Sequence, residues 1–295
     1  MRQALLEQLG GDDAVQWGHQ LLDYTTTNDQ GVVLNFEVNG VLKSAKADLV
    51  VGADGIRSTV RRLLIGDETS PLRYLGCIAI LGICPLTALD DPNHSLLDSE
   101  TVFQTANGQE RIYIMPFTAD SVMWQLSFPI SENEAKALSK QGPHALKAAA
   151  CQRTQWHNPV PQIVAATPEN QLSGYPVYDR ELLTKEVLQK EEMVTLIGDA
   201  AHPMSPFKGQ GANQALLDAL RLARGISTGC KPLSQWRKKG IRERVLNEFE
   251  VEMLARSAIK VTDSAKAAEF LHSEMVLQKS NSPRGNFLKK KDITP

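Results

Sequence analysis

Apolar and polar positions alternate along residues 32–38, VVLNFEV, break at Asn39-Gly40 and resume through Val41–Lys46. A period of two sets one face of each run against a core, and an Asn-Gly pair readily adopts the left-handed turn that folds one strand onto the next. The stretch therefore predicts a β-hairpin, with Val15–Tyr24 as a strand before it and Asp48–Gly52 as a short apolar strand after it. Ahead of these, Leu5, Leu6 and Leu9 share one side of a short helix over 2–9. From 71 to 130 strands alternate with turns and no long helical stripe appears; 110–117 and 121–130 pair antiparallel across the Thr118–Asp120 turn. Residues 131–152 return to helical spacing, opened by Ser131 with Glu134 three positions on, a capping box. A proline-rich stretch at 158–168 and GYPVYDR at 174–180 lead to a buried strand, Met193–Ile197. After a loop, Ala212, Ala215, Leu216, Ala219, Leu220, Leu222 and Ala223 form a helical stripe with Asp218 and Arg221 turned elsewhere. A long helix is predicted across about 238–272, and the polar, lysine-rich tail from 280 predicts disorder.

Composition narrows the field. A chain of 295 residues suffices for one large domain or two ordinary ones. The net charge of −2 supplies no chain-wide basic field for nucleic acid. The apolar runs fall short of a membrane span, and MRQALLEQLGGDD is too polar for a signal peptide. Cys77, Cys84, Cys151 and Cys230 are scattered without a CxxC pair, and the histidines lack HxxxH spacing. Neither structural zinc nor a disulfide framework is expected, and a reducing, cytoplasmic setting fits.

Candidate chemistry gathers at two strand–loop–helix segments, LVVGADGIRSTVR at 49–61 and GDAAHPMSPFKGQGANQALLDALRLA at 198–223. Where such a loop becomes a helix, backbone N–H groups point outward with the positive end of the helix dipole behind them, so something electron-rich belongs there. Gly52 and Gly55 let the backbone pass close to a ligand, although a Gly-Asp-Gly turn taken alone is more often structural. His202 suits a general base in position, but a histidine in so tight a turn is more often a structural hydrogen-bonder. Lys208 has two readings, a phosphate contact or a solvated loop lysine. Tyr113, Met115, Trp124 and Gln125 alternate in facing along their strands, so half of them face a pocket and half a core.

With YPVYDR ahead of VTLIGDAAHP, with FEVEMLARS at 249–257 and with the opening spacing of Arg2, Leu5 and Leu9, the two segments resemble the C-terminal signatures of the FAD-dependent aromatic hydroxylases, the single-component flavoprotein monooxygenases. The likeness covers about 1–275. It implies an α/β fold: a dinucleotide-type FAD-binding domain of the glutathione-reductase-like kind over 1–70 and 190–275, interrupted by a β-sheet substrate domain over 71–189, with C-terminal helices and a flexible tail at 276–295. It implies FAD as cofactor, NAD(P)H as co-substrate, and hydroxylation of an aromatic or similar small organic substrate with oxygen. Residue by residue, Asp199, after Gly198, resembles the carboxylate that hydrogen-bonds the ribityl chain. Asp54 with Gly55 resembles the Asp-Gly pair near the pyrophosphate and the route of NAD(P)H. Arg2 resembles the arginine that touches the flavin side. Gly209, Gln210, Gly211, Ala212 and Asn213 resemble the loop beneath the pyrimidine ring, and Pro206 the proline lining the site where oxygen reacts. Pro206, Gly209 and Gly211 are the expected catalytic positions, the others cofactor-binding, and no metal is implied. The chemistry suits the loop, because reduced flavin carries negative charge around N1 and the C2 carbonyl, which a helix N-terminus stabilises without a mobile cation.

One part of the family pattern is missing. No GxGxxG occurs, and the nearest string, GQGANQ, has Gln214 in the place of the third glycine. The expectation is an incomplete dinucleotide-type domain in which the AMP half of FAD lacks most of its site, so that this chain alone binds FAD weakly or not at all. Three readings stand open: an N-terminally truncated monooxygenase, half of a split protein completed by an N-terminal segment from another chain, or a non-catalytic binding or scaffold product. Among enzymes, a flavin halogenase or oxidase on the same scaffold is the rival.

Overall fold

The computed structural model describes residues 2–10, 14–27, 31–231 and 240–278. After helix α1 (Arg2–Gln8), three antiparallel strands follow in order: β1 (His19–Thr27), β2 (Gly31–Val38) and β3 (Val41–Ala47). The hairpin turn is the expected one, with Asn39 at φ 52° and Gly40 at φ 77°. The first strand begins at His19 rather than Val15, since Gly18 at φ 71° turns the chain before it. Next come β4 (Val50–Gly52) and α2 (Thr59–Ile65). A five-stranded antiparallel sheet follows, ordered β6-β7-β8-β5-β9, from β5 (Leu72–Pro85), β6 (Phe103–Ala106), β7 (Arg111–Thr118), β8 (Ser121–Pro129) and β9 (Leu172–Arg180). Between β8 and β9 the helical stretch is two helices, α3 (Glu132–Lys140) and α4 (Pro143–Arg153), before α5 (Val160–Ala166). The break lies at Gly142, whose φ of 86° ends α3 just before a proline suited to opening α4. The Ser131–Glu134 capping box is present. The chain closes through α6 (Lys185–Leu188), β10 (Val194–Leu196), α7 (Gly211–Gly229), a π-helical segment at Arg242–Leu246 and α8 (Asn247–Leu271). Residues 238–239 of the predicted long helix, and the tail from 279, lie outside the described residues.

The chain divides into two compact units. The first holds Met1–Pro71, Glu181–Pro203 and Gln210–Ala258. Here β10 lies parallel to β4, with Val194 opposite Val50 and Leu196 opposite Gly52. Two segments far apart in sequence thus deliver their loops side by side. Gly52 is required for this packing: a Cβ there would stand 2.6 Å from Leu196 Cδ2 and 2.8 Å from Val60 Cβ. Val50, Leu64, Val194, Leu196, Leu246 and Met253 anchor the core. Leu183 and Leu188 join it, which places 181–189 here rather than with the sheet-bearing body.

The second unit holds Leu72–Arg180, Met204–Gly209 and Ile259–Pro295. One face of its sheet, with Ile78, Ile80, Ile112, Ile114, Trp124 and Phe128, packs on Leu146, Ile163 and Val164 of the helices. Trp124 is core, as a tryptophan on a buried strand defaults to be; its indole N–H donates to Thr167 Oγ1 at 2.9 Å. The opposite face carries Cys77, Ala79 and Val177 against Phe207 and the end of α8, where Ala267, Ala268, Phe270 and Leu271 sit. Those contacts draw 259–271 into this unit rather than the first.

α7 reverses the expected pattern. Its buried positions are Gln214, Asp218 and Leu222, whereas Leu216, Leu217 and Leu220 are exposed. A buried polar stripe outweighs the apolar one because it meets charged partners.

Candidate functional site

The first loop is built around Asp54. Its Oδ2 accepts the backbone N–H groups of Thr59 at 2.7 Å and Val60 at 3.2 Å, and its Oδ1 accepts the Ser58 hydroxyl. Ser58 Oγ accepts Arg61 N–H at 2.8 Å, so two side chains cap the opening turn of α2. Gly55 takes φ 80° with open space around it. Arg61, 2% exposed, reaches across to the other loop: its Nη1 donates to Ala200 O at 2.7 Å and Ala201 O at 3.0 Å, and its Nη2 to Ser70 Oγ.

The second loop is held from the opposite side by Asp218, fully buried on α7. Asp218 Oδ2 accepts Gly198 N–H at 2.8 Å and meets His202 Nε2 at 2.6 Å; Oδ1 accepts Arg256 Nη2 at 2.7 Å. Burial alone would raise the Asp218 pKa, but the hydrogen bonds from His202, Arg256 and Gly198 outweigh it and hold the carboxyl below its ordinary range. Since that carboxylate only accepts, His202 Nε2 carries a proton. His202 is therefore a buried brace. Gly198 suits the turn, since φ 58° is a conformation other residues adopt rarely and a Cβ would stand 3.0 Å from that of Ala215.

With both flanks of the turn held, Asp199 is left outward. Its side chain is exposed, and no hydrogen bond reaches its carboxylate among the described residues. Burial of part of the group raises its pKa, opposed by His202. Close in sequence, α7 starts at Gly211 with Gln210 before it, no side-chain cap and no acidic residue in its first turn. The first described bond of its ladder is Gln214 N–H to Gln210 O at 3.0 Å, which leaves the N–H groups of Gly211, Ala212 and Asn213 for a ligand or solvent. Gly198, Asp199, Gln210, Ala212 and Asn213 thus fall in the same unit as Asp54 and Gly55. Arg2 is exposed on α1 and stacks over Trp17, 5.4 Å from its ring centre.

Pro206 and Gly209 belong to the second unit. Pro206–Lys208 is a single 3-10 turn closed by Gly209 at φ 62°, whose N–H donates to Pro206 O at 3.0 Å. Ser205 Oγ pins the turn to Ser264 O at 2.7 Å, and Phe207 is buried. Of the two glycines named for the loop, Gly209 has the positive φ and Gly211 does not. Over Phe207, at 5.5 Å, lies the buried Arg111 guanidinium, which also donates to Gln104 Oε1 and Gln125 Oε1, each at 3.0 Å, and stacks near Tyr113. His272 Nδ1 must donate to Ala268 O at 2.7 Å, so its Nε2 accepts the Ser127 hydroxyl at 2.9 Å. Burial, and the nearby Arg111 charge, lower the His272 pKa. This sheet face is more polar than an alternation of apolar strand residues suggests.

Comparison with known proteins bears on the family and the fold. A family model described as FAD binding domain matches residues 6–231. The aurachin C monooxygenase/isomerase of Stigmatella aurantiaca is 30% identical over 248 residues, 84% of this chain and 59% of that protein. The 3-amino-4-hydroxybenzoate 2-monooxygenase of Streptomyces cremeus is 30% identical over 232 residues, 77% of this chain and 51% of that protein. The chain thus spans between about half and two thirds of the length of these curated relatives. Among solved structures, HpxO of Klebsiella pneumoniae complexed with FAD and uric acid superposes with a TM-score of 0.76 at 23% identity, over 94% of this chain and 64% of that one. At that identity the likeness is one of fold.

Proposed function

The chain belongs to the FAD-binding-domain family of aromatic-hydroxylase-like flavoprotein monooxygenases, and on that premise we propose that it is the FAD- and substrate-handling part of an NAD(P)H-dependent monooxygenase acting on a small aromatic or similar organic molecule. The observation that carries this reading is the clamped turn at 198–202, which frees the Asp199 carboxylate while α7 begins uncapped in the same unit. FAD, when bound, supplies the redox chemistry that activates oxygen. The chain's own residues bind and orient. Asp199 would accept a hydroxyl of the bound cofactor, the N–H groups at 211–213 would stabilise negative charge on it, and Asp54 holds the start of α2 in place. Unit one serves as the FAD-binding body and unit two as the substrate body.

The dinucleotide-type domain is incomplete in this chain, on our reading, and a strand–loop–helix segment with a GxGxxG turn completes it. Two features support that. The described parallel sheet of the first unit has two strands, where such sheets are stable when wider and covered on both faces. And α7 exposes Leu216, Leu217 and Leu220 on the side away from its buried polar stripe. A cytoplasmic setting suits the four unpaired cysteines. The test is FAD titration of the chain alone and joined to such a segment, followed by NAD(P)H oxidation with oxygen incorporation into a panel of aromatic compounds. We expect weak binding alone, stoichiometric binding when joined, and loss of both on Asp199→Ala. No flavin binding by the joined protein would refute the reading.

A further inference from the structure

Asp199 has no hydrogen bond of its own among the described residues, so its direction depends on the backbone that carries it. That backbone is gripped at two places. Arg61 takes the carbonyls of Ala200 and Ala201, after Asp199; Asp218 takes the N–H of Gly198, before it. Asp218 is itself locked from behind. Arg256 binds its second oxygen, and also Gln214 Oε1 at 2.6 Å and Glu252 Oε1 at 2.9 Å, which ties α7 to α8. The buried polar stripe on α7 thus has a use: it carries a fixed acceptor to the start of the turn.

We propose that Asp218 is the positioning residue of the 198–202 turn, and that it governs ligand affinity at Asp199 and the α7 N-terminus without touching the ligand. The ligand half rests on the flavin reading above; the positional half does not. A neutral amide cannot replace this carboxylate, because all three groups around it donate: Gly198 N–H, His202 Nε2–H and the Arg256 guanidinium. An asparagine sets its NH2 against Arg256 in one orientation and against Gly198 and His202 in the other. The network therefore needs a full carboxylate, and its loss frees the turn while the helices, held by Leu222, Leu246 and Met253, remain packed.

The test has two arms, the first on the 295-residue chain and the second on that chain joined to the GxGxxG-bearing segment. In the first, amide hydrogen exchange is followed by mass spectrometry in Asp218→Asn without ligand. Exchange should accelerate in peptides covering 198–203 and stay near the original rate across β4 and the centre of α8. Unchanged exchange at 198–203 overturns the proposal, as does acceleration spread evenly over the first unit, which marks a general packing role. Arg256→Gln, which keeps Asp218 and its bond to Gly198, is the milder variant should Asp218→Asn fail to fold; it should show the same local pattern at smaller amplitude, and no local change overturns the proposal. In the second arm, FAD affinity should weaken by roughly tenfold or more in Asp218→Asn, the scale of one lost charge-assisted hydrogen bond. An affinity within twofold of the unsubstituted joined protein overturns the ligand half. Absence of FAD binding by the unsubstituted joined protein counts against the flavin reading instead, and the exchange arm still decides the role of Asp218.

Discussion

Replacing Arg61 by alanine tests the clamp from its other side. The guanidinium is buried and donates to two backbone carbonyls, Ala200 O and Ala201 O. Ser70 keeps a partner without it, since its hydroxyl donates to Glu181 O at 2.9 Å. The two carbonyls therefore set the least that the change costs. Each loses a charge-assisted donor in a buried place, about 1–3 kcal/mol apiece, and the truncation adds a void that partial relaxation shrinks. About 3–5 kcal/mol for Arg61→Ala is the consistent figure, a large share of the roughly 5–15 kcal/mol that holds a domain together. Arg61→Lys retains the charge but not the fork, so about 1–3 kcal/mol is expected. Urea unfolding followed by far-UV circular dichroism measures this. Because the chain has two units, the loss should appear in one part of the transition, while the fluorescence of Trp124, buried in the other unit, shifts little. A loss below about 1 kcal/mol for Arg61→Ala would refute the claim that this arginine holds the turn.

Other outcomes follow from single positions. Gly211→Ala should leave stability unchanged, since Gly211 has no positive φ, and yet weaken FAD binding if a ring lies against it; Gly209→Ala, at φ 62° with open space, should cost about 1 kcal/mol by thermal melting. Gly82→Ala brings a Cβ to 2.5 Å from the Trp124 ring, so it should destabilise the second unit by about 1–3 kcal/mol and alter Trp124 fluorescence. The lowered His272 pKa implies a stability contribution that is complete above about pH 6.5 and lost as pH falls through the depressed value; His272→Gln should flatten that slope in melts across the same window.

Local pattern determined much of this protein. The hairpin at Asn39-Gly40, the β7–β8 pair, the capping box at Ser131 and the two strand–loop–helix segments are consequences of near neighbours, which a linear reading sees directly. So was the family, because its long motif is a run of consecutive residues with one local job. The break at Gly142-Pro143 was also written locally, though helical spacing on either side obscures it. Tertiary structure decided the rest. Reading α7 by its apolar stripe turns Asp218 outward; the fold buries it, because Arg256, His202 and Gly198 supply three donors that exist together only once α7, α8 and the turn have met. Arg61 and Ala200 are equally remote in sequence and are joined by the parallel pairing of β4 with β10. Arg111 reads as an ordinary strand-end charge until Gln104, Gln125 and Phe207 enclose it. Periodicity predicts which positions leave water, but a buried charge is stable only with its partners, and those are chosen by the three-dimensional arrangement of the chain.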